Sequence, residues 1–192
     1  MSTYFEDLVF EKQDFTGQLF KAGDYEGCRF INCDLSKAAL SYTNFIDCRF
    51  ENCNLSSAAI IKTSFQDTGF SSCKMLGMHF EDANTFLFTP AFRDCVLTLC
   101  SFYGVNMKHA AFTNCILHEA DFADAVCTGV VFDNCDFLHA KFENTRLDQS
   151  DLRTSFNYSI DPERNLIKKA RFSFPAAAGL LDRYAIIIDG IT

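Results

Sequence analysis

Along residues 28–70 a large apolar side chain recurs at every fifth position: Phe30, Leu35, Leu40, Phe45, Phe50, Leu55, Ile60, Phe65 and Phe70. Two residues before each stands a small one: Cys28, Cys33, Ala38, Thr43, Cys48, Cys53, Ala58, Thr63 and Thr68. The positions between are polar, as at Arg29, Asn32, Asp34, Asn44, Asp47, Arg49 and Asn52. A period of five fits neither a helix, at roughly 3.6, nor a strand, at about 2. It marks a repeat architecture, in which each unit buries its apolar side only by stacking on the next.

The rule extends back through Phe10, Phe15, Phe20 and Tyr25, and forward through Met75 and Phe80. It then resumes at Phe92 and runs through Leu97, Phe102, Met107, Phe112, Leu117, Phe122, Cys127, Phe132, Phe137, Phe142 and Leu147 to Leu152. Phe80 and Phe92 are twelve residues apart where ten are expected, which places two extra residues inside 81–91. A longer period overlies the short one. Phe10, Phe30, Phe50 and Phe70 stand twenty apart, and Phe92, Phe112 and Phe132 continue the column after the same slip. Cys33, Cys53, Cys73, Cys95, Cys115 and Cys135 repeat it. Four five-residue units per turn predict a four-sided β-helix. Its coils would be separated by about 4.8 Å and joined by backbone hydrogen bonds along the axis. The large residue fills the centre; the slot two before it admits only Ala, Cys, Ser, Thr or Val. Aromatic columns explain why the chain has 22 Phe and no Trp.

The repeat also accounts for the ten cysteines. Nine lie in the small slot and Cys127 takes a large one, with no CxxC pair. They read as small buried hydrophobes, and no metal site or cofactor is expected. No apolar run approaches the roughly 20 residues of a membrane span. The segment Met1 to Val9 carries Glu6 and Asp7 and lacks the basic start of a signal peptide, so a cytoplasmic location is expected. The net charge of −8 argues against direct nucleic-acid binding. His79, His109, His118 and His139 make no metal spacing, and no phosphate loop or nucleophile elbow occurs, so catalysis is not expected.

Beyond Leu152 the rhythm weakens. Asn157 and Pro162 fall at large positions before Ile167 and Phe172 restore the register. The reading is a solenoid over 1–172 and a capping segment over 173–192. There Pro175 opens a short α-helix with Ala177, Leu180, Leu181 and Tyr184 on one face, followed by a short strand over 185–188. A solenoid end needs a cap. The apolar surplus of this one predicts a two-fold, tail-to-tail homodimer through Leu180, Leu181, Tyr184, Ile186 and Ile188.

The A(D/N)LXX-like units over Phe10 to Leu152 resemble the pentapeptide repeat family. That resemblance implies an all-β, right-handed quadrilateral β-helix. The tail IKKARFSFP with its Ala-rich LL segment, together with CKMLG (73–77), SFYG (101–104) and HEADF (118–122), resembles the topoisomerase-protecting members of quinolone and albicidin resistance. The resemblance implies a tail-to-tail dimer shaped and charged like DNA that binds DNA gyrase, and in some members topoisomerase IV, and protects it from poisons. The resemblance also implies loops projecting from the coils, which members of that group often carry and need for protection.

Two regions are candidates for partner contact. The first is the interruption, where Asn84, Phe86 and Phe88 could form a recognition bulge; Leu87 fits the shifted register as an inward residue with Thr85 as its small partner, leaving Phe86 outward. A plain bulged corner is the alternative. The second is the run between Lys108 and Lys141, which contains no Lys or Arg but carries Glu119, Asp121, Asp124, Asp133 and Asp136. A solvated face is the plain reading, and a stripe of carboxylates standing in for phosphates is the sharper one. About eight coils at 4.8 Å span roughly 38 Å, over which DNA carries roughly 22 charges. A protomer at −8 falls short of that, so mimicry must be local and include shape. The function expected is a DNA-mimicking gyrase partner; the rival is an adaptor solenoid binding some other protein, which scattered acids would favour.

Overall fold

The computed structural model describes residues 3–16, 20–174 and 176–187. Its strands are β1 Tyr4–Glu6, β2 Val9–Glu11, β3 Asp24–Glu26, β4 Arg29–Ile31, β5 Asn44–Ile46, β6 Arg49–Glu51, β7 Ser64–Gln66, β8 Gly69–Ser71, β9 Ala91–Arg93, β10 Ala111–Thr113 and β11 Phe132–Asp133. All pairing is parallel, and successive coils pair twenty residues apart, as in Phe10↔Phe30 and Phe30↔Phe50. Across the slip the offset is twenty-two, Phe70↔Phe92. The bridges form four ladders, one per side. The first face is the sheet β1-β3-β5-β7 extended by Ser64↔Asn84, and it resumes at Asn106↔Val126, Val126↔Arg146 and Arg146↔Leu166. The second is the seven-stranded sheet from β2 to β11, six turns from end to end, continued by Val131↔Asp151 and Asp151↔Arg171. The third runs from Asp14↔Asp34 to Asp136↔Phe156, and the fourth includes His79↔Ser101, Ser101↔Asp121 and Asp121↔Lys141. The four-sided β-solenoid is thus observed.

The period of five has a backbone cause. Two residues after almost every large one the chain takes a left-handed conformation, as at Asn32 (φ 55°), Asp47 (49°), Asn114 (53°) and Gly129 (75°). That single reversal of hand turns the corner, so the next unit starts a new side. Asn, Asp and Gly are frequent there because they tolerate it at least cost.

Inside, rings stack coil on coil: Phe30–Phe50 at 4.6 Å and 5°, Phe80–Phe102 at 4.7 Å and 4°. Rings from adjacent sides meet edge to face, as Phe45–Phe50 at 78°. All ten cysteines are buried and free, and nine occupy the small slot as expected. There the thiol does what Ala cannot. Cys53 Sγ donates to the Phe30 carbonyl of the preceding coil at 3.3 Å, and Thr63 Oγ1 does the same to Leu40 at 2.8 Å. The slot is less exclusive beside the slip, where Met78 and Pro90 fill it, Met78 fully buried. Unbranched Met adapts to such irregular space.

The expected C-terminal α-helix is not formed. Among the described residues the tail has two 3-10 turns, Ala176–Leu180 and Asp182–Tyr184. The cause is close docking on the last coil. The Gly179 carbonyl accepts the Ile160 N–H at 3.0 Å, and a Cβ at Gly179 would overlap the Tyr158 carbonyl oxygen. The chain hugs the coil end instead of completing helical turns. Ala185 then turns with φ 49°, and Ile186 and Ile187 are not strand. Pro175 and Ile188, to which the helix start and the strand end were assigned, lie outside the described residues.

Candidate protein-interaction surfaces

The interruption sits at the corner from the first face to the second. Asn84 still pairs with Ser64 and Ala91 already pairs with Gly69, so the two extra residues fall between them. The Asn84 side chain accepts the Phe86 N–H at 3.1 Å, which starts the bend. Leu87 takes the left-handed corner conformation, φ 57°, and is exposed. This reverses the expectation that Leu87 faces inward. Phe88 is the inward residue, 3% exposed and edge-on to Phe80 at 6.1 Å, so it belongs to the core and not to a recognition bulge. The physical reason is size: once a two-residue bulge lets the chain choose, the larger ring fills the centre. Thr89 locks the loop, donating to Asp67 Oδ1 at 2.9 Å and accepting the Asp67 N–H. Phe86 is left 74% exposed at the tip, outward as expected, with Asn84 beside it.

The five predicted carboxylates do not form a stripe. By register Asp133 lies on the second face, Asp136 and Glu119 on the third, and Asp121 and Asp124 on the fourth. A period of five sends neighbouring acids to successive sides, so a dense run in sequence winds around the rod. Most are also engaged. His118 Nε2 lies 2.8 Å from Asp136 Oδ2, and Asn157 donates to Asp136 Oδ1 at 2.8 Å. Partial burial alone would raise the Asp136 carboxyl, but these hydrogen bonds outweigh it and hold the group below the usual range. Lys141 Nζ reaches Asp121 at 3.3 Å, Asn144 donates to Asp124, and Thr154 donates to Asp133.

Sequence reasoning missed two surfaces that only the side-to-side assignment brings together. Glu6, Asp7, Asp24, Glu26, Asp47 and Asp67 share the first face over its first four coils, whose outward positions hold no Lys or Arg. Asp47 reaches across the corner to Arg49 at 2.9 Å, while Asn44 donates to Asp24, the Tyr4 hydroxyl to Glu26 and Thr89 to Asp67. On the third face Leu99, Ile116, Leu138 and Phe156 are all exposed. Reading every twentieth position as a column exposes both groups, with the offset raised by two after residue 84.

At the C-terminal end Arg183 Nη1 bonds Asp161 and Glu163, each at 2.8 Å, and the Tyr184 hydroxyl donates to Glu163 at 2.8 Å. Leu180 packs on the core and serves the cap. Phe174 (88% exposed), Leu181, Tyr184, Ile186 and Ile187 (92%) remain uncovered around it.

Among the described residues no group of His, Cys, Asp and Glu is arranged to hold a metal, and no helix is long and apolar enough to cross a membrane. A family profile described as "Pentapeptide repeat region" matches residues 23–89 and 43–122, and one described as "Pentapeptide repeats (8 copies)" matches 115–153. No curated protein sequence matches the chain. Among solved structures, a trypsin-treated variant of QnrB1, a plasmid-mediated fluoroquinolone resistance protein, is similar over 98% of this chain and 92% of its own, at 19% identity and a TM-score of 0.67. HetL, a pentapeptide repeat protein involved in heterocyst differentiation regulation in the cyanobacterium Nostoc sp. strain PCC 7120, is similar over 88% and 85%, at 13% identity and a TM-score of 0.42.

Proposed function

Because this chain belongs to the pentapeptide repeat family, we propose that it is a protein-binding rod with no chemistry of its own, and that its partner is a type II topoisomerase, DNA gyrase first. In this reading it occupies the DNA-binding saddle of the enzyme, in the cytoplasm, and alters the response to antibiotics or toxins. The observation that carries it is the acidic half of the first face. Four coils at about 4.8 Å put roughly 14 Å between the first and the last, over which one DNA strand carries about 4 phosphates. Six carboxylates over that length are at least as dense as the phosphates of one strand. The stripe that supports mimicry is therefore this one and not the run from Glu119 to Asp136. Fluoroquinolone resistance, stated for QnrB1, is the kind of outcome proposed, and the likeness itself carries only the fold. Phe86 anchors the contact beside the acids. The tail joins two protomers through Leu181, Tyr184, Ile186 and Ile187, doubling the length of the rod.

The second reading, an adaptor for another protein, is favoured by the exposed Leu99, Ile116, Leu138 and Phe156 and by the spread of the predicted acids over three faces. One assay separates them: gyrase supercoiling with and without the protein, at low and high salt, with and without a poison. Inhibition or relief of poisoning that fades with salt supports the first reading, and Phe86→Ala is expected to weaken it with the fold intact. No effect on gyrase under any condition leaves the adaptor.

A further inference from the structure

The first face is divided by charge. Before the bend at Phe86 its outward positions carry the six carboxylates; after it they carry Lys108, Arg146, Lys168 and Lys169 with one acid, Asp148. Elsewhere Arg29, Arg153, Arg164 and Arg183 each hold a carboxylate. No ion pair engages these four basic residues among the described ones, although the chain carries a net charge of −8. Four coils lie on either side of the bend, starting at Tyr4, Asp24, Asn44 and Ser64 before it and at Asn106, Val126, Arg146 and Leu166 after it. The face thus has a centre, and the two halves have equal length and opposite sign.

We propose that this face binds a second copy of the same chain, antiparallel, about a two-fold axis lying across the face at the level of Phe86. The operation reverses position along the rod and keeps position across it. Residues therefore meet at equal distance from the bend and in the same place within the unit. Glu6 then faces Lys168, Asp7 faces Lys169 and Asp24 faces Arg146; Tyr4 meets Leu166, each 54% exposed. Glu26 against Asp148 is the one like-charged match. On the axis Phe86 packs against its own copy, removing the most exposed ring on this face from water. The bulge holds the faces slightly apart, a gap that Lys, Arg and Glu side chains are long enough to span. One side of a molecule exposing 9953 Å² offers on the order of 2,000 Å², above the about 800 Å² per partner of a standard interface. A self-complementary patch is what an isologous dimer requires. The pairing does not rest on the topoisomerase reading, and it covers the surface assigned there to gyrase, so self-association and gyrase binding compete.

The test is run in a Leu181→Asp background, so that the tail contributes nothing. Sedimentation is expected to show a dimer at about 50 mM salt that weakens at least about tenfold at about 500 mM, where screening shortens to a few ångströms. Charge reversal by Lys168→Glu with Lys169→Glu, or by Glu6→Lys with Asp7→Lys, is expected to weaken it by about tenfold or more, and all four together to restore it. A separate Phe86→Cys variant is expected to form a disulfide with its own copy under oxidation at low salt, the native thiols being buried. If a reversal variant fails to fold by circular dichroism, this cross-link decides alone. A monomer at low salt, reversals that do not rescue one another, or cross-linking indifferent to salt would overturn the pairing.

Discussion

Replacing Phe88 by Ala is expected to cost about 3–5 kcal/mol of stability, because the ring is packed in the centre and a cavity would remain. Phe86→Ala is expected to change stability by less than about 0.5 kcal/mol, because that ring touches mainly water. Urea unfolding of the two variants checks this, and equal losses would return Phe86 to the core. The contrast marks how far the residue scale was legible. Which side chains face inward could be read wherever the period held, since every fifth position has one geometric role. At the bend the period gives two answers, Leu87 or Phe88, and ring size against a local backbone reversal decides between them. Neither is visible in the spacing. The left-handed corner residues were similarly unreadable as such: Leu99 takes one at φ 60° as Asn114 does at 53°. The stacking of coils imposes that conformation on whatever residue the sequence supplies.

At the scale of elements, the ladders followed from the sequence and the tail did not. A strand in this rod is three residues held by its neighbours above and below, so the repeat alone specifies it. The tail has no repeat and was read from helical spacing, yet its form is set by the surface it lies on. Gly179 is the point of closest approach, so Gly179→Ala is expected to lift the segment from Tyr158 and break the Ile160-to-Gly179 hydrogen bond, costing about 1–3 kcal/mol. Had the tail been an exposed α-helix, the same change would stabilise it by up to about 1 kcal/mol. Thermal unfolding gives the sign. Faster hydrogen exchange at Ile160 in the variant would locate the damage to the cap.

At the scale of the whole molecule the rod behaves as one stack, because each coil is buried only by its neighbours and the thiol columns run through most of its length. Three thiols buried outside the Cys33–Cys135 column make stability sensitive to alkali. Burial pushes the thiols of Cys48 and Cys100 up to about 12, and that of Cys127 upward as well, while in the unfolded chain a thiol titrates near about 8.5. The folded state therefore favours the protonated form. Below the unfolded value both states hold the proton and the full stability is present. As pH rises toward the folded value the unfolded chain sheds protons that the folded one keeps, and each such thiol costs up to about 1.4 kcal/mol per pH unit. Three thiols acting together would remove about 6 kcal/mol by about pH 10, a large share of the 5–15 kcal/mol typical of a folded domain. The urea midpoint is expected to fall steeply between about pH 8.5 and 10, with the thiols silent to an aromatic disulfide reagent until unfolding. Cys48→Ala and Cys100→Ala should each remove about one proton's worth of that slope, since the change in stability with pH counts the protons released on unfolding. A midpoint that does not move between neutral and alkaline pH would mean that Cys48, Cys100 and Cys127 are open to water.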